Sequence, residues 1–231
     1  NSWGLPIYEL ALLADSRLRD AGVAGPALTV VTPEEAPLQL FGRRASAQVG
    51  QLLSDRGIHV VTGARVSKFE DGVLSLTPGE DLEADAVISL PRVEGRRIDG
   101  VPHDENGFVA VDAHCRVTGM EDAFAAGDVT TFPVKQGGIA TQQADVIAEA
   151  IAFDLGLHAE PRPFEPVLRG VLWTGEGPRY LHGHLAGGHG ETSSLTSDPP
   201  WEQEGKIVSR YLSPFLAEVD DQITGGRSSR G

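Results

Sequence analysis

The 231-residue sequence predicts an α/β fold in two successive lobes, and three observations carry that reading. Strand and helix patterns alternate over residues 6–90, the composition changes after Pro91, and a compact apolar strand closed by Gly127-Asp128 precedes a long apolar helix.

Leu10, Leu13, Ala14 and Leu18 recur at helical spacing and predict a helix over 6–21, with a strand expected ahead of it. The β-branched run 27–32 (ALTVVT) suits a buried parallel strand, and the turn-rich 33–37 follows it. Val49, Leu52 and Leu53 predict a second helix over 45–56, stopped by Gly57, and 58–61 is another short strand. Residues 66–69 and 73–76 flank Glu70-Asp71-Gly72 as a hairpin, and 86–90 is expected to be a last buried strand ending at Pro91. A strand–helix series with a hairpin crossover suits a small nucleotide-binding-type lobe. The Gly-, Arg- and Pro-rich stretch 92–102 then leaves it for a second lobe. There, 108–111 and 123–126 are short strands, and a helix over 138–155 carries Ala144, Ile147, Ala148 and Ile151 on one face. Beyond Gly156 the pattern loosens. A strand is expected at 167–173, a Gly/His/Ser-rich loop at 183–197 and a frayed tail at 225–231.

Bulk properties narrow the function classes. Nineteen Lys and Arg against 33 Asp and Glu give a net charge of −14, which repels phosphate backbones and anionic lipid, so no nucleic-acid partner is expected. No apolar run approaches the ~20 residues of a membrane span. No basic-then-apolar signal pattern opens the sequence, and a cytoplasmic location is expected. Cys115 is the single cysteine, which excludes an internal disulfide, a Cys-x-x-Cys pair and a zinc knuckle within the chain. Electron chemistry, if present, must come from a cofactor.

The most informative segment is 118–145, TGMEDAFAAGD followed by VTTFPVKQGGIATQQAD. The strand delivers Asp128 to the carboxyl edge of a sheet, where ligands of open α/β sheets bind, and Gly127 admits close backbone approach. Asp128 can accept a hydrogen bond from a sugar hydroxyl. The helix starting near Gly137-Gly138 aims unpaired N–H groups and its positive dipole end at whatever lies over it, which favours a developing negative charge.

Thr118, Ala125, Gly127 and Asp128 match T-x6-A-x-G-D, and the segment resembles the second FAD motif of flavoproteins of the pyridine nucleotide-disulfide oxidoreductase type. The order of elements resembles that family over most of the chain, nearest to the NAD(FAD)-dependent oxidoreductases allied to type II NADH dehydrogenases and sulfide:quinone oxidoreductases. The resemblance implies a Rossmann-like, three-layer (ββα) NAD(P)-binding-type lobe at 1–91 and the C-terminal part of an FAD-binding lobe at 92–156. A C-terminal α+β interface extension at 157–224 and a tail at 225–231 follow. It implies FAD as cofactor, with Gly127, Asp128 and Val129 along the ribityl–phosphate region. Lys135, Gln136, Gly137 and Gly138 would lie by the isoalloxazine ring, where Lys135 takes the catalytic part of stabilising the anionic reduced flavin. The bland alternative is a strand-to-turn stop at AGD with a solvated Lys135.

Two departures from the family pattern matter. No G-x-G-x-x-G heads any strand–helix unit, so the first FAD motif is expected upstream, about one further domain portion on the order of a hundred residues. At the head of the first lobe, Ser2-Trp3-Gly4-Leu5-Pro6-Ile7 stands in the place of the family's NAD-binding glycines, and of these only Gly4 survives. Ser2 and Ile7 compromise the tight turn and the close helix–strand packing, which puts NAD(P) docking in question. Sulfide:quinone-type members also replace this motif, often with Pro-x-Tyr-Glu as in Pro6-Ile7-Tyr8-Glu9, yet the chain lacks the cysteine pair of sulfide chemistry. Glu34 stands where a ribose-binding acid is expected, although glutamate is also common at strand ends.

Other candidates have ordinary readings beside them. Cys115 is reactive only if its pKa is depressed, and is otherwise a connection residue. His182, His184 and His189 lack a carboxylate or thiol to complete a metal site, so a solvated loop is favoured and no metal is expected. Trp173, Tyr180, Trp201, Tyr211 and Phe215 read as ordinary core, with a quinone or partner contact as the alternative. Arg96-Arg97 read as solvated linker. The leading expectation is an FAD-dependent oxidoreductase moving electrons from a pyridine nucleotide or other small donor to an acceptor such as a quinone. The rival is a non-catalytic binding or assembly module, and a homodimer is among the arrangements the resemblance allows. A lyase or hydrolase on the same fold has no nucleophile–base constellation to support it.

Overall fold

The computed structural model describes residues 3–23, 26–157, 160–184, 194–201, 207–216 and 218–219. Ser2, His189, the side chain of His184 and the tail 225–231 lie outside the described residues. The chain divides into two compact units, one holding 3–92 with 167–201 and the other 93–166 with the described residues from 207 onward. The stretch 167–201, grouped by sequence with a C-terminal extension, thus clusters with the first ninety-odd residues.

In the first unit, α1 (Leu5–Asp20) opens with Pro6 in its first turn, where a missing N–H costs nothing, and closes with Arg17 and Arg19 near its negative dipole end. Its buried stripe is Leu5, Tyr8, Leu12 and Asp15, whereas Leu10 and Leu13 are exposed. Helical spacing found the helix but not its inner face. That face is chosen by β6 (Val167–Trp173), where an added Cβ on Gly170 would come within 2.8 Å of Leu5 Cδ1. Next, β1 (Thr29–Val31) and β2 (His59–Val61) pair in parallel, Val30 opposite Val60, with α2 (Arg43–Asp55) between them in sequence. Ala45, Val49 and Leu53 of α2 are buried. The hairpin β3 (Arg65–Glu70) and β4 (Val73–Thr77) turns at Asp71 and Gly72, both at positive φ (50° and 78°), as a two-residue turn matched to strand twist requires. The short β5 (Leu82–Glu83) adds antiparallel to β4, and Ala64, Leu74 and Leu76 form a small core with Val31, Val61 and Leu82.

Residues 86–90, expected as a buried strand, form no strand, and Ile88 is 69% exposed. Among the described residues β1 and β2 pair only with each other, so this run has no ladder to join.

β6, β7 (Pro178–His184) and β8 (Ser194–Thr196) form an antiparallel sheet. Leu168, Gly170, Leu172, Leu181 and Gly183 are buried. An added Cβ on Gly183 would meet the Phe41 carbonyl oxygen at 3.0 Å. The expected loop at 183–197 therefore overlaps the end of β7 and contains β8, and His182 pairs with Arg169 across the ladder rather than lying in a solvated loop. Strand alternation turns Trp173 away from the buried face and leaves it exposed. Tyr180 packs edge-on to Trp201 with ring centroids 5.6 Å apart.

In the second unit the expected strands at 108–111 and 123–126 shrink to isolated bridges, Val109 with Thr130, Val111 with Val117 and Arg116 with Phe124. Cys115, at φ 63°, bends the chain between them, so no ladder extends. The long helix α3 runs Gly137–Asp154. Its burial departs from the expected apolar stripe: Ile151 and Ala148 are exposed, and Gln143, Asp145 and Glu149 are buried. Each of those polar side chains is hydrogen-bonded, which is what permits the burial. Tyr211 and Phe215, read as core, are exposed: the carboxylates of α3 hold this segment by hydrogen bonds to its backbone, to the Arg210 guanidinium and to the Tyr211 hydroxyl, and not by burying its rings.

Candidate functional site

The structure brings Gly127, Asp128, Val129, Lys135, Gln136, Gly137 and Gly138 together in one unit around the start of α3. Gly127 to Val129 form a single 3-10 turn, and Gly127 takes φ 76°. Its N–H donates to Gln143 Oε1 at 2.6 Å, and an added Cβ would sit 3.0 Å from Ala140 Cβ. Two demands converge on glycine here, a left-handed backbone and a close approach to α3. The turn is tied down further: Val109 N–H donates to Val129 O at 2.9 Å, and Thr130 Oγ1 donates to Gly127 O at 2.9 Å. Asp128 projects from this fixed turn as an exposed carboxylate.

Lys135 is half-buried, its Nζ donating to Thr130 O and lying 4.0 Å from the centroid of the Phe108 ring. Burial holds its pKa below the ordinary lysine value, while Asp128 and Asp104 act in the opposite direction. The ammonium is thus poised against two carboxylates and an aromatic face. Gln136 caps α3, its Oε1 accepting from Gly138 N–H at 3.1 Å, while Gly137, without a side chain, is exposed at the helix start. An acceptor at Asp128, a desolvated cation at Lys135 and a side-chain-free helix N-terminus are a donor and acceptor set that fits an anionic, hydroxyl-bearing group such as FAD.

Gly4 and Glu34 meet in the other unit. Glu34 Oε2 accepts from Tyr8 Oη at 2.6 Å and from Thr32 Oγ1 at 3.2 Å, and an added Cβ on Gly4 would lie 3.1 Å from that same oxygen. Burial, then the contact with Glu34, raises the Tyr8 pKa well beyond its ordinary value, so the phenol remains a proton donor. One carboxylate oxygen of the expected ribose acid is therefore engaged within the chain.

Sequence reading missed Gln143, Tyr8 and Phe108 as parts of these corners. Gln143 sits on the same α3 as the buried Asp145 and Glu149, where apolar spacing gives no signal for it. Cys115 is 1% exposed, and burial, then Asp112, pushes its thiol up to about 11, which fits a connection residue. Among the described residues no His, Cys, Asp and Glu cluster could hold a metal, and no helix is long and apolar enough to cross a membrane.

The chain matches the pyridine nucleotide-disulphide oxidoreductase family over residues 9–147 of its 231 and belongs to that family. An NADH dehydrogenase-like protein of Mycobacterium tuberculosis H37Rv is 34% identical over 133 residues, covering 54% of this chain and 33% of its own. A monodehydroascorbate reductase of Pisum sativum is 28% identical over 229 residues, covering 88% and 51%. Among solved structures, the sulfide:quinone oxidoreductase of Aquifex aeolicus superposes with a TM-score of 0.74 at 18% identity, over 84% of this chain and 51% of that one. That likeness carries the fold, and the Rossmann-like α/β class read from the sequence is the one found. The chain spans from a third to about half the length of these relatives.

Proposed function

We propose that this chain is part of an FAD-dependent oxidoreductase, passing electrons from a pyridine nucleotide or another small donor through flavin to an acceptor such as a quinone. The observation that carries the proposal is the convergence of Gly127, Asp128, Lys135 and the capped head of α3 on one fixed turn. Family membership supports it. When bound, the flavin supplies the two-electron chemistry, and the protein supplies orientation and electrostatics. Asp128 accepts a hydroxyl of the ribityl–phosphate portion beside Gly127 and Val129. Lys135, the N–H of Gly137 and the positive end of the α3 dipole would hold negative charge on the reduced ring, with Gln136 fixing the helix start by accepting from Gly138 N–H. Because Lys135 is already desolvated, an anionic neighbour recovers the interaction that burial withholds. A cytoplasmic site of action and a homodimer are further parts of the same proposal.

The test uses the protein expressed from its complete reading frame. FAD-dependent thermal stabilisation and a visible flavin spectrum, both weakened by Asp128→Ala, support the proposal, and a folded, colourless protein that ignores FAD defeats it. A second reading, a binding or assembly module that keeps the fold without catalysis, is favoured by the engagement of Glu34 with Tyr8 and Thr32. Titration with FAD, NADH and NADPH bears on the two: bleaching of bound flavin by a reduced nucleotide favours the first reading, and a folded protein that takes up no flavin favours the second.

A further inference from the structure

The second unit contains a buried charge cluster that the flavin reading does not use. Asp145 and Glu149 lie one helical turn apart on α3, each only 8% exposed. Buried carboxylates are stable only when fully hydrogen-bonded, and these two are served largely by one short segment. Asp145 Oδ1 accepts from the N–H groups of Tyr211 and Leu212, each at 3.2 Å, and its Oδ2 accepts from Arg210 N–H. Glu149 Oε1 accepts from Tyr211 Oη at 2.9 Å, the Arg210 guanidinium at 2.9 Å and Arg162 at 3.0 Å. Ser209 and Ser213 knit the segment internally, each N–H donating to the other's hydroxyl at 2.8 Å, and Ser213 Oγ donates to Ile207 O at 3.1 Å.

One end of this strap reaches the functional end of α3. Ile207 Cδ1 is 3.4 Å from the position of a Cβ added to Gly137, so an apolar side chain, itself 45% exposed, stands beside the side-chain-free head of the helix. At Asp145 the fastening is by backbone N–H groups to a charged acceptor, which fixes the strap's main chain directly, and the side-chain bonds to Glu149 add to it.

We infer that residues 207–212 are a built part of the flavin site, with Asp145 and Glu149 as positioning residues that clasp the strap to α3 so that Ile207 screens the ring-binding end of the helix from water. This rests on the flavin reading of that end. Screening matters chemically, since excluding water strengthens the interaction of Lys135 and the helix N-terminus with a reduced ring.

The test is made on the FAD-loaded protein from its complete reading frame, with iodide quenching of flavin fluorescence and hydrogen exchange of the strap amides as readouts. Ile207→Ala is expected to raise the iodide quenching constant roughly twofold by opening one side of the ring to solvent, with Ile207→Leu restoring the parent value. Asp145→Asn is expected to speed exchange at residues 210–212 by about tenfold or more, because hydrogen bonds to a charged acceptor are the stronger kind, and to raise quenching alongside. Unchanged quenching in Ile207→Ala with FAD bound overturns the inference, as does faster strap exchange in Asp145→Asn without a change in quenching. A parent protein that binds no FAD overturns the flavin reading itself and is told apart by its missing spectrum.

Discussion

Replacing Gly127 by alanine probes the turn on which the whole candidate site is mounted. At φ 76° an alanine Cβ costs about 1 kcal/mol or more relative to glycine. The same Cβ would sit 3.0 Å from Ala140 Cβ, and the resulting overpacking adds about 1–3 kcal/mol. The sum is a loss of about 2–4 kcal/mol from the second unit. Ala140→Gly removes the crowding but not the backbone strain, at a helix cost of about 1 kcal/mol. The double variant should therefore be more stable than the sum of the single effects by about 1–3 kcal/mol, the part of the cost that lies in the contact. Trp3, Trp173 and Trp201 all belong to the first unit, so tryptophan fluorescence reports on the wrong half of the chain. Hydrogen exchange across α3 under increasing urea is the appropriate assay. A Gly127→Ala loss below about 0.5 kcal/mol, or a coupling within about 0.3 kcal/mol of zero, would refute the claim that close approach to α3 holds this turn.

Three further outcomes follow from named contacts. Arg56→Ala should cost about 3 kcal/mol in the first unit, read by tryptophan fluorescence in urea, because the Arg56 side chain is 8% exposed and joins Asp15 at 3.0 Å to Glu176 at 2.9 Å. Burial pushes the Asp15 carboxyl up, but Arg19 and Arg56 overcome it and the net pKa is lowered; its stabilisation is thus present above the ordinary aspartate range and lost as pH falls through the lowered value. The Arg56 variant should show a shallower acid dependence. For Lys135 the sign is reversed: its pKa is lowered by burial, so the parent gains stability relative to Lys135→Met as pH rises through that lowered value toward the ordinary lysine range. FAD affinity, measured at neutral pH, should fall in the same variant. Cys115, with its thiol at about 11 and its side chain buried, should resist iodoacetamide in the native state at mildly alkaline pH and react at once in urea; prompt native labelling would contradict the burial.

Local chemistry was legible in the sequence and long-range pairing was not. The Asp71-Gly72 turn, the strand at 167–173 and the start of α3 near Gly137 follow from short-range rules of turn type, alternation and helix entry. The Gly127-Asp128 corner was readable because a spaced motif fixes a turn that needs few outside contacts. The inner faces of α1 and α3 were misread because burial there is decided by partners distant in sequence. Tyr8 is turned inward by Glu34 and Asp15 by Arg56, while Asp145 is solvated by the backbone, and Glu149 by the side chains, of a segment some sixty residues away. Apolar periodicity counts only hydrophobic residues, so it cannot see a helix that buries its acids. Residues 86–90 failed for the complementary reason: a run with every local mark of a strand forms none where no neighbour among the described residues completes the ladder.

That same run has a bearing on how the protein behaves in the tube. Val87 and Ile88 are exposed on a β-prone stretch that pairs with no strand among the described residues, which is the usual seed of edge-to-edge aggregation. What opposes such clumping is long-range repulsion between copies that each carry fourteen excess negative charges, and salt shortens the reach of that repulsion to about 10 Å at 0.1 M. Ionic strength therefore sets the colloidal balance: dilute buffer keeps the copies apart, and concentrated salt leaves the sticky stretch unopposed.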